Sequence, residues 1–124
     1  MDVTPIIPAD RQVIDGYGAS GFRVSGVAYA GGILVFPDET QAWEVRTLAE
    51  VTTASLQPVI ARGSVQILLL GCGRRMQPVP VPLRQALRAG GIVVDAMDTG
   101  AACRTYNVLL AEDRRVAAAL LPLG

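Results

Sequence analysis

Histidine and lysine are both missing from this chain of 124 residues, because all 11 of its basic residues are arginine. Without histidine there is no imidazole general base, no Ser-His-Asp triad and no Cys-His dyad. Zinc, haem and iron sites that use histidine are excluded for the same reason. Without lysine there is no Schiff base, no anchor for pyridoxal phosphate and no P-loop lysine. We therefore expect no catalytic residues, no metal ligands and no cofactor.

Charge is also scarce and balanced. Charged residues make up 18% of the chain, and 11 basic residues face 11 acidic ones, so the formal net charge is zero. Neither sign is in excess, which argues against nucleic acid and anionic membrane as partners. No apolar run approaches the roughly 20 residues of a membrane span, and no signal-peptide pattern opens the sequence. These features predict a cytoplasmic protein with no membrane insertion.

Cysteine is limited to Cys72 and Cys103. Two cysteines cannot supply a four-cysteine zinc site within one chain, and in a cytoplasmic protein we expect two reduced thiols. Cys72 stands between two glycines, so it is a candidate accessible thiol. Cys103 falls on the apolar face of a predicted helix, where it is expected to behave as a small buried hydrophobe.

The composition changes along the chain and predicts its organisation. Residues 1–12 are polar and contain prolines, which predicts a loosely ordered arm, and residues 13–124 are predicted to form one domain. Glycines punctuate residues 13–36, a pattern typical of short strands and tight turns. Beyond them strands alternate with helices, which predicts an α/β domain with crossovers. The predicted elements are strands at 43–46, 65–70 and 92–96, the last two buried on both faces, and helices from Ser55 as N-cap to Gly63, at 83–89, and from Thr99 as N-cap to about Ala111.

One glycine motif resembles a dinucleotide-binding site. Residues Gly16 to Gly21 match the G-x-G-x-x-G pattern. That function requires a helix to begin at the glycines, so that its N-terminus meets the pyrophosphate. The residues that follow, Phe22 to Val27, are typical of strand and turn. The motif is therefore predicted to be a glycine-rich β-hairpin.

Two further loops form the candidate binding site. Gly71-Cys72-Gly73 and Asp98-Thr99-Gly100 each follow a predicted strand. If the strands are parallel neighbours, both loops lie at the sheet edge where crevices of α/β proteins form. The amides of the helix that starts at Thr99 favour an anion there, and nearby arginines can contribute. The alternative is that the glycines only turn the chain and Thr99 only caps a helix.

Arg104 and Asn107 lie one turn apart on the same predicted helix, outside its apolar stripe. We interpret them as a candidate surface pair, and the alternative is an ordinary solvated helix face. The candidate ligand or partner contacts are Gly71, Cys72, Gly73, Asp98, Thr99, Gly100, Arg104 and Asn107.

Several of these segments, in this order, resemble the adipogenesis-associated Mth-domain family, whose relatives include a mitochondrial assembly factor of NADH dehydrogenase (complex I). The resemblance covers nearly the whole chain beyond the first dozen residues. The segments that carry it are Ile14 to Gly18, Gly21 to Val24, Gly31 to Val35 with Trp43, Leu68 to Gly73, Gly91 to Val94 and Met97 to Asn107.

The resemblance implies a three-layer domain. Its mixed central sheet has helices on one side and the N-terminal β-hairpin region on another. It also implies that residues 114–121 form a strand antiparallel to its neighbours, although their alanines favour helix. The family supplies no established catalytic residues. It typically has threonine where this chain has Cys72, which weighs against Cys72 as an essential nucleophile.

Three functions compete at this point. The first is a non-enzymatic interaction or assembly module with an unidentified protein partner, in respiratory complex I biogenesis. The second is a binding protein for a small anion at the crevice between Gly71–Gly73 and Asp98–Gly100. The third and least favoured is an enzyme that uses Asp98 or Cys72, because most acid–base sites draw on residue types absent here.

Overall fold

The apolar run from Ile67 to Leu70 lies in an interior strand of a mixed five-stranded sheet. The structure is a computed structural model and describes residues 11–124. Within these residues the chain forms a smaller antiparallel sheet and a larger mixed one, with helices between the later strands. The strands are β1 (Ile14–Tyr17), β2 (Gly21–Val24), β3 (Val27–Ala30), β4 (Gly32–Val35), β5 (Thr40–Trp43), β6 (Ile67–Cys72), β7 (Val93–Met97) and β8 (Val116–Leu121), and the helices are α1 (Gln57–Arg62), α2 (Val81–Ala89) and α3 (Thr99–Ala111).

The larger sheet has the strand order β5-β4-β8-β6-β7. Strand β6 pairs in parallel with both β7 and β8, which confirms the prediction of a central parallel strand. The remaining pairs, β8 with β4 and β4 with β5, are antiparallel. The smaller sheet is the antiparallel array β1-β2-β3. The mixed α/β fold class is therefore confirmed.

Strand β8 joins the two halves of the larger sheet. Its existence is confirmed, but its expected direction is right on one side only, because β8 is antiparallel to β4 and parallel to β6. The crossover through α3 makes β8 run in the same direction as β7 and β6, which explains the parallel pair of β8 with β6. All six residues of β8 are buried. Burial in the sheet therefore outweighs the helical propensity of Ala117, Ala118 and Ala119.

The fold has three layers, with the larger sheet in the middle. Helices α1 and α2 cover one face, where Val59 and Leu87 join the same apolar cluster as Leu68. Helix α3 and the smaller sheet cover the other face, where Tyr106 and Phe22 share a cluster. The expectation of all helices on one side is therefore wrong. The connections β6–β7 and β7–β8 run in opposite directions along the sheet, and right-handed crossovers of opposite direction cover opposite faces.

Strand β7 is an edge strand rather than a strand buried on both faces. Val94 is buried, whereas Val93 is 58% exposed and Asp95 is exposed as well. The apolar run 92–96 predicts a buried strand, but only one face of an edge strand in this position is covered. Arg84 reaches this strand from α2, and its guanidinium donates to the Val94 carbonyl oxygen at 3.1 Å.

Several boundaries differ from the sequence prediction. The strand expected at 43–46 ends at Trp43 instead. Ser55 is not an N-cap, because a 3₁₀ turn at Ala54–Leu56 precedes α1. Helix α2 starts two residues before Leu83, since Pro82 is compatible with a first turn. Gly63 ends α1 in the left-handed conformation, with φ of 70°, as predicted.

The predicted arm lies largely outside the described residues, which start at Arg11. Gln12 is held on the fold, because its amide donates to the Pro37 carbonyl oxygen at 3.0 Å. Its side-chain oxygen accepts a hydrogen bond from Thr40 Oγ1 at 2.7 Å. Across residues 11–124, no helix is long and apolar enough to cross a membrane.

Candidate functional site

The G-x-G-x-x-G segment forms the connection between β1 and β2. The Gly18 amide donates to the Gly21 carbonyl oxygen at 3.0 Å, and strand β2 follows immediately. The hairpin prediction is confirmed, since a strand follows the glycines where a dinucleotide site would have a helix.

The two loops of the candidate site meet at one edge of the larger sheet. The chain passes from β6 to β7 in one direction and then returns across β6 to β8, so the strand order reverses between β6 and β8. Ligand crevices of α/β sheets form at such a reversal, beyond the carboxyl ends of the strands. The Thr99 amide donates to the Gly73 carbonyl oxygen at 2.8 Å, so the loop after β6 touches the start of α3.

Thr99 lies between the loop after β6 and the end of β8. Its side chain is fully buried. Its hydroxyl donates to the Leu121 carbonyl oxygen at 2.6 Å and accepts from the Gly73 amide at 2.8 Å. The hydroxyl therefore joins the ends of β6 and β8 across the reversal point. An added Cβ at Gly71 would lie 3.0 Å from Thr99 Oγ1, so only glycine fits beside it without a shift.

The start of α3 is capped by Asp98 rather than by Thr99. The Asp98 carboxylate accepts from the Ala101 amide at 2.9 Å, and its carbonyl oxygen accepts from the Ala102 amide at 2.9 Å. Thr99 is the first helical residue, and its amide is bonded to Gly73. Asp98 also places a carboxylate at the positive end of the helix dipole. The Thr99 and Ala101 amides are among the groups that the sequence interpretation assigned to an anion, and the chain itself bonds to both.

Tyr17 covers the first turn of α3 from the smaller sheet. A Cβ added at Gly100 would lie 2.7 Å from the Tyr17 hydroxyl oxygen, so the ring packs directly on that glycine. Arg104 Nη1 donates to the same hydroxyl at 3.3 Å. Tyr17 remains 42% exposed. We call the surface formed by Tyr17, Asp98 and Arg104 the Tyr17–Arg104 face.

Sequence reasoning missed Tyr17 as part of this surface. The residue lies inside the glycine motif, and nothing in its neighbourhood along the chain indicates a contact with the distant helix α3. The only local signal is an aromatic side chain between two turn glycines.

Asn107 holds the smaller sheet on α3. Its side-chain nitrogen donates to the Ile14 carbonyl oxygen at 2.8 Å, and its side-chain oxygen accepts from the Ile14 amide at 3.0 Å. The amide group thus pairs with the outer edge of β1 as a neighbouring strand would. Asn107 is therefore engaged within the chain and separate in role from Arg104, which is exposed.

Both thiols are free and buried. Burial raises the pKa of Cys72, and its Sγ lies 3.8 Å from the Gln77 carbonyl oxygen. Burial also raises the pKa of Cys103 to about 12, an effect that Arg104 opposes. The burial of Cys103 is confirmed, and Cys72 is not the accessible thiol that its flanking glycines predict. Both sulfurs are protonated near neutral pH, whereas a nucleophilic cysteine needs a lowered pKa.

The raised pKa of Cys103 predicts a loss of stability at alkaline pH. The thiol has an ordinary value of 9.0 and about 12 in the folded chain. Its contribution is therefore complete below pH 9 and is lost as the pH rises toward 12, because only the unfolded chain releases the proton. Between about pH 8 and about pH 10.5 we expect a loss of about 2 kcal/mol from this group. Urea unfolding of the wild type and of Cys103→Ala at both pH values measures this loss of stability. An equal loss in both proteins would contradict its assignment to Cys103.

The model of a protein family described as "protein of unknown function (DUF498/DUF598)" matches residues 14–121. An uncharacterized protein of Rhodobacter capsulatus is 39% identical over 110 residues, which cover 89% of this chain and 84% of that protein. The human NADH dehydrogenase (ubiquinone) 1 alpha subcomplex assembly factor 3 is 31% identical over 115 residues, and its zebrafish (Danio rerio) counterpart is 32% identical over 111. The matches cover 92% and 89% of this chain but only 62% and 64% of the two assembly factors.

Solved structures share the fold. A Bordetella pertussis protein described as a Mth938-like domain has a TM-score of 0.85 at 30% identity, and covers 100% of this chain and 94% of its own. A protein described as an outer membrane protein from Bartonella henselae has a TM-score of 0.84 at 36% identity, covering 94% of this chain and 98% of its own. Both similarities extend over the smaller and the larger sheet together.

Proposed function

The chain belongs to the DUF498/DUF598 family, and from that premise we propose that it is a non-enzymatic interaction module that assists the assembly of a respiratory NADH dehydrogenase in the cytoplasm. Two supports come from its relatives. Assembly factors of that enzyme are 31–32% identical to this chain across about nine-tenths of its length. The sequence similarity to the human factor spans 92% of this chain, so it includes the elements that build the Tyr17–Arg104 face.

The observation that carries the proposal is the closed reversal point of the sheet. Thr99 and Asp98 use the polar groups that a small ligand would need there. What this edge offers instead is an exposed surface, with a tyrosine and an arginine side by side. Tyrosine and arginine are enriched at protein interfaces, where a rigid ring and a five-donor guanidinium contribute large shares of binding energy. A protein partner therefore suits this edge better than a small molecule does.

The chemistry of the described residues favours binding over catalysis. Both thiols are buried with raised pKa values. The Asp98 carboxylate caps a helix, and Arg104 donates a hydrogen bond to the Tyr17 hydroxyl. Thiols with raised pKa values are poor nucleophiles, whereas a guanidinium and a carboxylate orient and hold a partner.

The test places a photo-crosslinking amino acid at Tyr17 in the cell that natively makes this protein. We expect crosslinks to subunits or assembly intermediates of NADH dehydrogenase, because the ring is exposed on the proposed contact surface. The matched control carries the same group at Val81, which is 62% exposed on α2, on the other side of the larger sheet. Crosslinks from Tyr17 that are absent from Val81 would support the proposal. No specific crosslink from Tyr17, or the same products from both positions, would overturn it.

A further inference from the structure

A cleft opens at the opposite edge of the larger sheet from the Tyr17–Arg104 face. It lies where β6 and β8 begin, between the end of β4, the end of α1 and the turn that joins α3 to β8. Its volume is about 380 Å³. The charged side chains that line it are Arg11, Arg62, Arg114, Arg115, Asp38 and Asp113.

One wall of the cleft is a fixed guanidinium. Arg62 Nη1 and Nη2 lie 2.6 Å from Asp38 Oδ1 and Glu39 Oε1, respectively. The same group stacks on the Phe36 ring, with its central carbon 3.8 Å from the ring centroid. Two carboxylates and an aromatic face therefore hold Arg62 in one orientation. Arg11 is held more loosely, through a single contact of 3.1 Å with Asp113.

The other wall carries two consecutive arginines with no such partners. Arg114 and Arg115 are exposed, and no ion pair engages either of them among residues 11–124. Their backbone is nevertheless fixed. The Arg114 amide donates to the Leu109 carbonyl oxygen at 3.0 Å, and the Arg115 carbonyl oxygen accepts from the backbone amide of Gln66 at 2.9 Å. Asp113, just before them in the turn between α3 and β8, adopts a left-handed conformation with φ of 59°.

The cleft carries an excess of positive charge, although the formal net charge of the whole chain is zero. Four of the 11 arginines line the cleft, and three carboxylates lie beside them: Asp38 and Asp113 in the lining and Glu39 at Arg62. Asp38 and Asp113 are already engaged with Arg62 and Arg11. Within residues 11–124, Arg114 and Arg115 therefore add positive charge to a concave surface without an ion-pair partner, and field lines converge in such a surface.

One buried hydroxyl is influenced by charges that line this cleft. Tyr106 is fully buried, and its oxygen has no hydrogen-bond partner in the part of the chain that the structure describes. Burial raises the pKa of Tyr106, and the charges of Arg11, Asp38 and Arg62 also act on it. All three of those residues line the cleft.

We propose that this cleft binds a small oxyanion with at least two negative charges, of the phosphate or carboxylate class. Arg114 and Arg115 supply the charge-assisted hydrogen bonds, since a guanidinium fork matches both phosphate and carboxylate oxygens. The fixed Arg62 forms the opposite wall. The volume fits a small molecule rather than a protein segment. This site is independent of the proposed assembly function and of the reversal point at the other sheet edge.

The test is an NMR titration of the ¹⁵N-labelled chain with pyrophosphate and, separately, with citrate at constant ionic strength. We expect saturable shifts of amides near residues 36–38, 62–65 and 113–116, with sodium chloride producing none. The double substitution Arg114→Gln and Arg115→Gln is expected to weaken binding at least about tenfold. Both side chains are exposed, so the fold is expected to persist, and the unshifted amides of β6 verify it.

Arg88→Gln is the matched control, because Arg88 is an exposed arginine on α2, away from the cleft. It is expected to leave the affinity unchanged. Tighter binding of pyrophosphate than of citrate would assign the site to phosphate-bearing ligands, and the reverse order would assign it to carboxylates. If neither anion binds more tightly than about 1 mM, or if the control weakens binding as much as the double substitution, the proposal is overturned.

Discussion

Gly21→Ala is expected to destabilise the protein by about 3 kcal/mol, because the added methyl group overlaps the backbone of the neighbouring strand. A Cβ at this position would lie 2.1 Å from the Tyr29 carbonyl oxygen and 3.1 Å from the Ala30 Cα. Both atoms belong to the neighbouring strand β3, so no side-chain rotation relieves the overlap. The strands β2 and β3 must separate locally, and the smaller sheet then loses pairing that buries Phe22.

The same motif contains the control for this prediction. Gly18 has nothing within 4 Å of an added Cβ, so Gly18→Ala is expected to change stability by less than about 1 kcal/mol. Urea denaturation followed by circular dichroism compares the two variants with the wild type. Similar midpoints for Gly21→Ala and Gly18→Ala would contradict the steric explanation. The expected contrast separates the last glycine of the motif, which strand packing requires, from the middle one.

The second large effect is expected at Thr99, where valine replaces the hydroxyl with a methyl group of similar size. Thr99→Val leaves the Gly73 amide and the Leu121 carbonyl oxygen without the partner that joins them. An unsatisfied buried polar group costs about 1–3 kcal/mol, so we expect a loss of about 3 kcal/mol for the pair. The loss falls at the junction of β6, β8 and α3, in the middle of the fold.

Thr99→Ser distinguishes the hydrogen bonds from the packing of the side chain. Serine keeps the hydroxyl and removes one methyl group, for which we expect a loss of about 1 kcal/mol. The measurement is the free energy of unfolding together with the hydrogen-exchange rate of the Gly73 amide. Valine should accelerate that exchange strongly, and serine should preserve its protection. Equal destabilisation by the two substitutions would show that the hydroxyl contributes little.

The sequence was sufficient for elements that depend on local pattern. The apolar run at 67–70 predicts the central strand β6, because only a strand covered on both faces accepts so many apolar residues in succession. Helix α3 is predicted almost to the residue, since its apolar positions recur at helical spacing. The glycine motif is assigned correctly to a hairpin because the residues after it are strand formers. In each case the deciding information lies within a dozen residues.

Features that depend on contacts between residues far apart in the chain could not be predicted from the sequence pattern. Asp98 and Thr99 are both good N-caps by residue type, and only the position of Gly73 and Leu121 makes Thr99 a bridge instead. The apolar residues at 92–96 predict a buried strand, but β7 is the last strand in the sheet order, and its position at the edge depends on which strands pair with it rather than on its own residues. Asparagine is a residue type expected at the surface, yet the Asn107 side chain hydrogen-bonds to the backbone of Ile14 in the first strand.

The position of β8 in the sheet also determines the order in which the chain can fold. The pair β4–β5 and the unit β6–α2–β7 each consist of neighbours along the chain, so both can form early. They share no strand pairing with each other and meet only when β8 enters between them, where Val35 pairs with Ala118 and Leu69 pairs with that same alanine. Such long-range pairing is slow to form. During synthesis on the ribosome, the edges of β4 and β6 therefore stay unpaired until β8 has been made. Unpaired strand edges promote aggregation, so this interval is when the chain is most prone to aggregate and most dependent on chaperones.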